Sequence, residues 1–110
     1  MYKVIDKEVI FQFLGEDRDL LPQMMEMILT INLPELKGLP ELYENGLYED
    51  VRIKVHKAKS TMGYLGALEV KQLLQSMEKD IPTTFPEKYD KLQGFIITIE
   101  KELNNLIGEL

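Results

Sequence analysis

Apolar residues recur every three or four positions through most of this chain, and the clearest run is VRIKVHKAKSTMGYLGA at positions 51–67. On a helix, where each residue turns about 100°, Val51, Val55, Ala58, Met62 and Leu65 form one stripe that belongs in a core. The same rhythm sets the other elements. Asp6 caps a short helix with Val9, Ile10, Phe13 and Leu14 on one face, and Gly15 ends it. This piece reads as a cover packed on a larger body. A second helix begins near Asp17 or Asp19, and Asp19 is the better cap because Pro22 then falls in the first turn, where a missing N–H costs little. Its buried stripe is expected at Leu20, Leu21, Met24, Ile28 and Ile31, with Met25 and Met27 widening it toward another face.

Pro34 and Pro40, with Gly38 between them, should bend or interrupt that helix. Leu33, Leu36, Leu39, Leu42 and Tyr43 nevertheless keep a helical rhythm across them. The expectation is one long kinked helix, with two shorter helices as the alternative, stopping at Asn45-Gly46. A third helix runs from about Tyr48 to Leu65 and is broken by Gly66; a fourth carries Leu68, Val70, Leu73, Leu74 and Met77 to about Lys79. The segment DIPTTFP at 80–86 reads as a loop, with Thr84 and Glu87 as a capping box for the last helix. That helix presents Tyr89, Leu92, Ile96, Ile99, Leu103 and Leu106; FIITI at 95–99 is rich in strand formers, but its neighbours keep the helical period. The fold expected is all-α: an antiparallel four-helix bundle with an additional short N-terminal helix, as a single domain over 1–110.

Composition narrows the chemistry. The chain has no cysteine, which removes disulfides, thiolate metal sites and cysteine nucleophiles. A formal charge of −6 disfavours general binding to nucleic-acid phosphates. The N-terminus alternates apolar and charged residues instead of forming a secretory leader, and no apolar run is long enough to span a bilayer. A cytoplasmic, free-standing monomer that touches neither membrane nor nucleic acid is the expectation. Against the acidic whole, Arg52, Lys54, Lys57 and Lys59 set four of the 13 basic residues in a collar around His56, the one histidine. Such a run is most often a solvated face; the sharper reading is a site for an anion or an acidic partner.

His56 points roughly 130° away from the centre of the apolar stripe. On its face stand Arg52, Lys59, Ser60, Gly63 and Ala67, basic first and then small. A lone helical histidine is most often structural or solvated. An imidazole can also act as a nucleophile that is neutral near physiological pH, attacking with one nitrogen while the other is held. Lys59, one turn on, could meet a phosphoryl oxygen as a point charge, with Arg52 a weaker candidate. Glycine within a helix costs about 1 kcal/mol relative to alanine, so Gly63 asks for a reason, and clearance for a partner is one. Haem held between His56 and Met24 or Met62 fits poorly with an outward histidine. A carboxylate metal site lacks both a Glu-x-x-His pattern and a second histidine, and a serine hydrolase lacks a recognisable nucleophile turn.

The run HKAKSTMGYLGA at 56–67 resembles the signature of histidine-containing phosphotransfer domains. In these a histidine is followed by lysine three residues on, a small residue at four, another near seven and glycine at ten. Lys59, Ser60, Gly63 and Gly66 stand at those positions. The likeness extends to the short first helix, a loop containing Gly15-Glu16-Asp17, the long helix closing at Asn45-Gly46, and Met77-Glu78 closing the helix after the signature. The family usually carries glycine where Ser60 stands.

The resemblance implies a phosphorelay intermediate. His56, through its outward Nε2, would take a phosphoryl group from a receiver-domain aspartyl phosphate and pass it to another receiver, with Lys59 stabilising the phosphate. Ser60, Gly63, Gly66 and Arg52 would serve clearance and docking, and Phe13, Met24 and Met27 would extend the docking surface. The implied partners are response-regulator receiver domains and a hybrid sensor histidine kinase. Mg²⁺ would reside in the receiver, so this chain would need no cofactor or metal and would be a phosphocarrier without turnover of its own. A helical adaptor that binds a receiver or another protein without carrying phosphate is the alternative, which Ser60 leaves open.

Overall fold

The computed structural model describes residues 2–15 and 20–110. The expected caps Asp17 and Asp19, and most of the Gly15-Glu16-Asp17 loop, lie outside the described residues. The elements are α1 (Lys7–Leu14), α2 (Leu20–Met27), a π-helical turn (Ile28–Asn32), α3 (Leu33–Lys37), α4 (Leu39–Glu44), α5 (Tyr48–Tyr64), α6 (Leu68–Glu78) and α7 (Ile81–Glu109). From α2 to α4 the chain forms one kinked, composite helix. With α5, α6 and α7 it makes a four-helix bundle to which α1 is added. The 29 residues of α7 rise about 43 Å at 1.5 Å each, which matches the 42 Å long axis of the molecule. Among the described residues no helix is long and apolar enough to cross a membrane.

The expected stripes of α5 and α7 are the buried ones. Val51, Val55, Met62 and Leu65 are fully enclosed and Ala58 nearly so; Leu92, Ile96, Ile99, Leu103 and Leu106 are fully enclosed on α7. The stripe of the composite helix is rotated from expectation. Leu21, Met25 and Ile28 are buried, whereas Leu20 and Ile31 are about half exposed. Beyond Ile28 the phase changes again at the π turn. Leu33 N–H bonds to Ile28 O, five residues back, directly before Pro34. A proline ring collides with the carbonyl four residues earlier, and widening the preceding turn relieves that contact while shifting the phase of the apolar face. After the shift, Leu33, Leu36 and Leu39 point inward.

A second correction concerns 80–86. This segment is not a loop: α7 starts at Ile81, Asp80 is the N-cap residue, and Pro86 lies inside the helix. Thr84 makes no capping box; its hydroxyl donates to Met77 O at 2.9 Å and Asp80 O at 2.8 Å. Pro86 has no N–H for the carbonyl of Pro82, and Tyr43 OH donates to that carbonyl from α4 at 2.7 Å. The arrangement is reciprocal. Pro40 leaves the carbonyl of Leu36 without its helical donor, and Tyr89 OH from α7 donates to it at 2.9 Å. Phe85 is sandwiched between the two tyrosines, with ring centroids 4.5 Å from Tyr43 and 4.8 Å from Tyr89. Two helices that each lack a proline N–H thus satisfy one another through facing tyrosines.

The N-terminal segment is fastened by a buried carboxylate. Glu102 on α7, only 6% exposed, accepts from the backbone N–H groups of Lys3 (2.8 Å), Val4 (3.0 Å) and Ile5 (2.9 Å). Asp6 then caps α1 by accepting from Glu8 N and Val9 N, and its own N–H donates to Leu65 O at 2.8 Å. α1 is therefore fixed to the turn after α5.

Tyr89→Phe should lower unfolding free energy by about 1 kcal/mol, the worth of a typical hydrogen bond, and Glu102→Ala by about 3 kcal/mol, because several enclosed donors lose their acceptor. Urea denaturation of both variants checks this order; a Glu102→Ala loss no larger than that of Tyr89→Phe would remove the fastening role of Glu102.

Candidate functional site

The rotation of α5 decides where its polar residues go. With Val51, Val55, Ala58 and Met62 buried, His56 stands outside, its side chain 65% exposed. α6 returns antiparallel after the turn at Leu65–Ala67, where Gly66 adopts φ +69°. His56 lies ten residues before Gly66 and Glu78 twelve after it, so the hairpin brings them side by side. His56 Nδ1 is 2.5 Å from Glu78 Oε1. Next to a carboxylate, Nδ1 is the nitrogen that carries the proton and donates. Nε2 is then the nitrogen with a free lone pair whenever the ring is neutral, on a side chain that is 65% exposed.

Glu78 holds a second partner. Lys59 Nζ is 2.6 Å from Glu78 Oε2, and both side chains are largely enclosed, at 22% and 16% exposure. The lysine bond above all, and then the histidine bond, keep the Glu78 carboxyl below the usual carboxylate range against the opposing effect of burial. In this state Lys59 neutralises Glu78 instead of standing free. Arg52 is also engaged: its guanidinium grips the Glu49 carboxylate through two nitrogens and lies 3.9 Å from Glu78 Oε1. Of the collar, Arg52 and Lys59 are organised around Glu49 and Glu78, while Lys57 turns toward Glu35, 3.9 Å away.

The small residues divide into two kinds. Ser60 is exposed, and Gly63 lies beyond it on the same side of α5. A Cβ on Gly63 would meet only Lys71 Nζ, at 3.7 Å, an ordinary contact. Among the described residues nothing requires glycine there. Gly66 differs: a Cβ would stand 2.6 Å from Asp6 Cβ and 2.9 Å from Val9 Cβ, and the backbone is left-handed. Its place is accounted for by the turn and by the close approach of α1.

Two apolar grooves flank Tyr64. One is lined by Val9, Phe13, Ser60, Gly63, Leu68 and Lys71, the other by Leu14, Met24, Met27, Ile28 and Thr61. Phe13, Met27 and Leu68 are each more than half exposed; of the expected docking trio, Phe13 lines the first groove and Met24 and Met27 the second. Sequence reasoning gave Tyr64, Leu68 and Lys71 no place in these grooves, and it gave Glu78 no role. Counting outward from Gly66 along the hairpin, ten residues back to His56 and twelve forward, points to the last turn of α6, where Glu78 stands; Leu68 is apolar but lies two residues before Val70, about 200° around α6 from it, and is 61% exposed. Met62, considered above with His56 as a haem ligand pair, is fully buried on the opposite face. Among the described residues no three of His, Asp and Glu gather as metal ligands would.

A carboxyl held below its ordinary value contributes stability that is complete above the unfolded-state pKa and is lost as pH falls through the folded one. Wild type should therefore exceed Glu78→Gln in stability at neutral pH, with the gap closing as the medium drops below about pH 4, the ordinary glutamate value. Urea midpoints of the two proteins from pH 7 to 2.5 test it; a gap independent of pH would show that the charge of Glu78 contributes nothing.

In comparisons with known proteins, no protein-family model, no curated protein and no solved structure matches this chain.

Proposed function

We propose that this four-helix bundle is a phosphorelay carrier of the histidine-containing phosphotransfer kind, with His56 as the phosphoryl acceptor. One observation carries the reading: an exposed imidazole whose Nδ1 is tied to Glu78, which leaves Nε2 as the nitrogen free to react, on a helix face that is basic and then small. That is the arrangement a histidine nucleophile needs. The held nitrogen fixes the tautomer and the ring orientation, and the free one attacks.

The step balances simply. Nε2 of neutral His56 attacks the phosphorus of a receiver aspartyl phosphate in line with the departing carboxylate oxygen. The N–P bond forms as the P–O bond breaks, the aspartate leaves as its carboxylate, and the Nδ1 proton stays in its bond to Glu78. Mg²⁺ would come with the receiver and there screen the phosphoryl charge. On this chain the developing phosphoryl oxygens gain a cation when Lys59, a flexible point charge, exchanges Glu78 for the phosphoryl group one turn away. Ser60 and Gly63 leave room for the receiver's catalytic loop. The apolar surface around Tyr64, with Phe13, Met24 and Met27, offers the docking area. The partners of this reading are response-regulator receivers and a hybrid sensor kinase in the cytoplasm.

A receiver bearing ³²P on its aspartate should label the wild type in acid-labile, base-stable form and leave His56→Gln unlabelled; equal labelling of both, or of neither, ends the proposal. Stable receiver binding without any phosphohistidine would favour an adaptor instead. Lys59→Ala should slow transfer about tenfold or more, the scale expected for removing one charge-assisted hydrogen bond to the phosphoryl group, while circular dichroism remains that of the wild type. Transfer at an unchanged rate would remove the role given to Lys59.

A further inference from the structure

Glu78 has a third cation close by. Arg52 applies one edge of its guanidinium to Glu49, with Nε donating to Oε2 at 2.9 Å and Nη2 to Oε1. The remaining nitrogen, Nη1, lies 3.9 Å from Glu78 Oε1, about 1 Å beyond a charge-assisted hydrogen bond. At rest each Glu78 oxygen already has a bonded partner: Oε1 is 2.5 Å from His56 Nδ1, and Oε2 is 2.6 Å from Lys59 Nζ. Glu49, Arg52, Glu78 and Lys59 therefore alternate in sign, and Arg52 sits between two carboxylates while bonded to one.

Transfer of Lys59 to a phosphoryl group on His56 strips Glu78 Oε2 of its partner. Lys59 is the foremost of the groups that hold the Glu78 carboxyl below the usual carboxylate range, and the Glu78 side chain is only 16% exposed, so water replaces the lysine poorly. The phosphorylated ring nevertheless needs that carboxylate more than the resting ring does. With phosphorus on Nε2 and the proton still on Nδ1, the imidazole carries a positive charge. In the onward step it leaves phosphorus as a neutral ring only if Nδ1–H has been kept. Arg52 is placed to take over from Lys59. Its Nε and Nη2 stay anchored on Glu49 at an exposed site, where a shift of about 1 Å meets little resistance, and the Glu78 carboxylate turns readily about its terminal torsion to offer Nη1 either oxygen.

We propose that Arg52 is the reserve counter-ion of Glu78: it stands off while Lys59 holds the carboxylate, and it closes on Glu78 when Lys59 moves to the phosphoryl group, so that Glu78 keeps Nδ1–H of the phosphorylated ring. The proposal rests on the phosphotransfer reading for what draws Lys59 away; the exchange of cations is testable without phosphate. In this role Arg52 is a positioning residue that acts through Glu78 and not on the phosphoryl group. Glu49 fixes the guanidinium with Nη1 on the side of Glu78.

The first arm of the test uses no phosphate. Lys59→Gln removes the lysine charge and so reproduces its departure. Urea unfolding of the full chain at pH 7 gives a double-mutant cycle of Arg52→Gln with Glu78→Gln, once with Lys59 present and once in the Lys59→Gln background. The coupling of Arg52 to Glu78 should be near nil with Lys59 present and rise to about fivefold in the unfolding equilibrium constant without it, the upper range for a partly exposed ion pair. Equal coupling in both backgrounds, or none in either, overturns the proposal. The second arm phosphorylates ¹⁵N-labelled wild type and Arg52→Gln with phosphoramidate and follows the His56 Nδ1–H signal. Both unphosphorylated proteins should show it; after phosphorylation the wild type should retain it and Arg52→Gln should lose it as exchange with solvent quickens. A signal that survives in phosphorylated Arg52→Gln, or that vanishes in the phosphorylated wild type as well, overturns the proposal. If phosphoramidate leaves His56 unlabelled, the phosphotransfer reading fails separately, and the unfolding cycle still decides the exchange of cations.

Discussion

Burial of Val51, Val55, Ala58 and Met62 is the constraint on which the rest of this molecule depends. Four enclosed side chains on α5 contribute a few kcal/mol of transfer free energy, and a rotation of the helix by even one residue would expose them. The azimuth of α5 is thus fixed by its core side, and the outward direction of His56 follows. α6 repeats the logic, since Val70, Leu74 and Met77 turn inward and so present Glu78 to the histidine. The site is a by-product of two buried stripes meeting in an antiparallel hairpin.

Within that frame Glu78 performs two tasks with two oxygens, orienting the imidazole through one and holding Lys59 through the other. A carboxylate this enclosed would be costly without partners. Satisfied by both, it keeps a lysine within reach of any anion that arrives at His56. In the proposed phosphotransfer reading, exchange of Lys59 between these two negative groups is the response to phosphorylation, with no backbone movement needed.

Much of this was legible in the sequence, for identifiable reasons. The 3.6-residue period of α5 and α7 is regular, so their buried faces, and with them the exposure of His56, could be read directly. The composite helix was legible as a kinked rod but not in its phase, because the extra residue of the π turn at Ile28–Asn32 leaves no mark in composition. The segment at 80–86 misled for a physical reason: a proline inside a helix is tolerable only if its orphaned carbonyl finds a donor, and that donor, Tyr43, is 39 residues away along the chain. Glu78 and Glu102 escaped similarly, their partners being 22 and 97 to 99 residues distant. Local patterns reveal faces; contacts between elements need the fold.

In the proposed function His56 is an outward nucleophile working through Nε2 while Glu78 keeps Nδ1–H. Long-range ¹H–¹⁵N spectra of the imidazole, recorded before and after phosphorylation, read both nitrogens at once. The account predicts a proton on Nδ1 in the resting neutral ring, and phosphorus on Nε2 afterwards. The opposite tautomer at rest, or phosphorus on Nδ1, would contradict it.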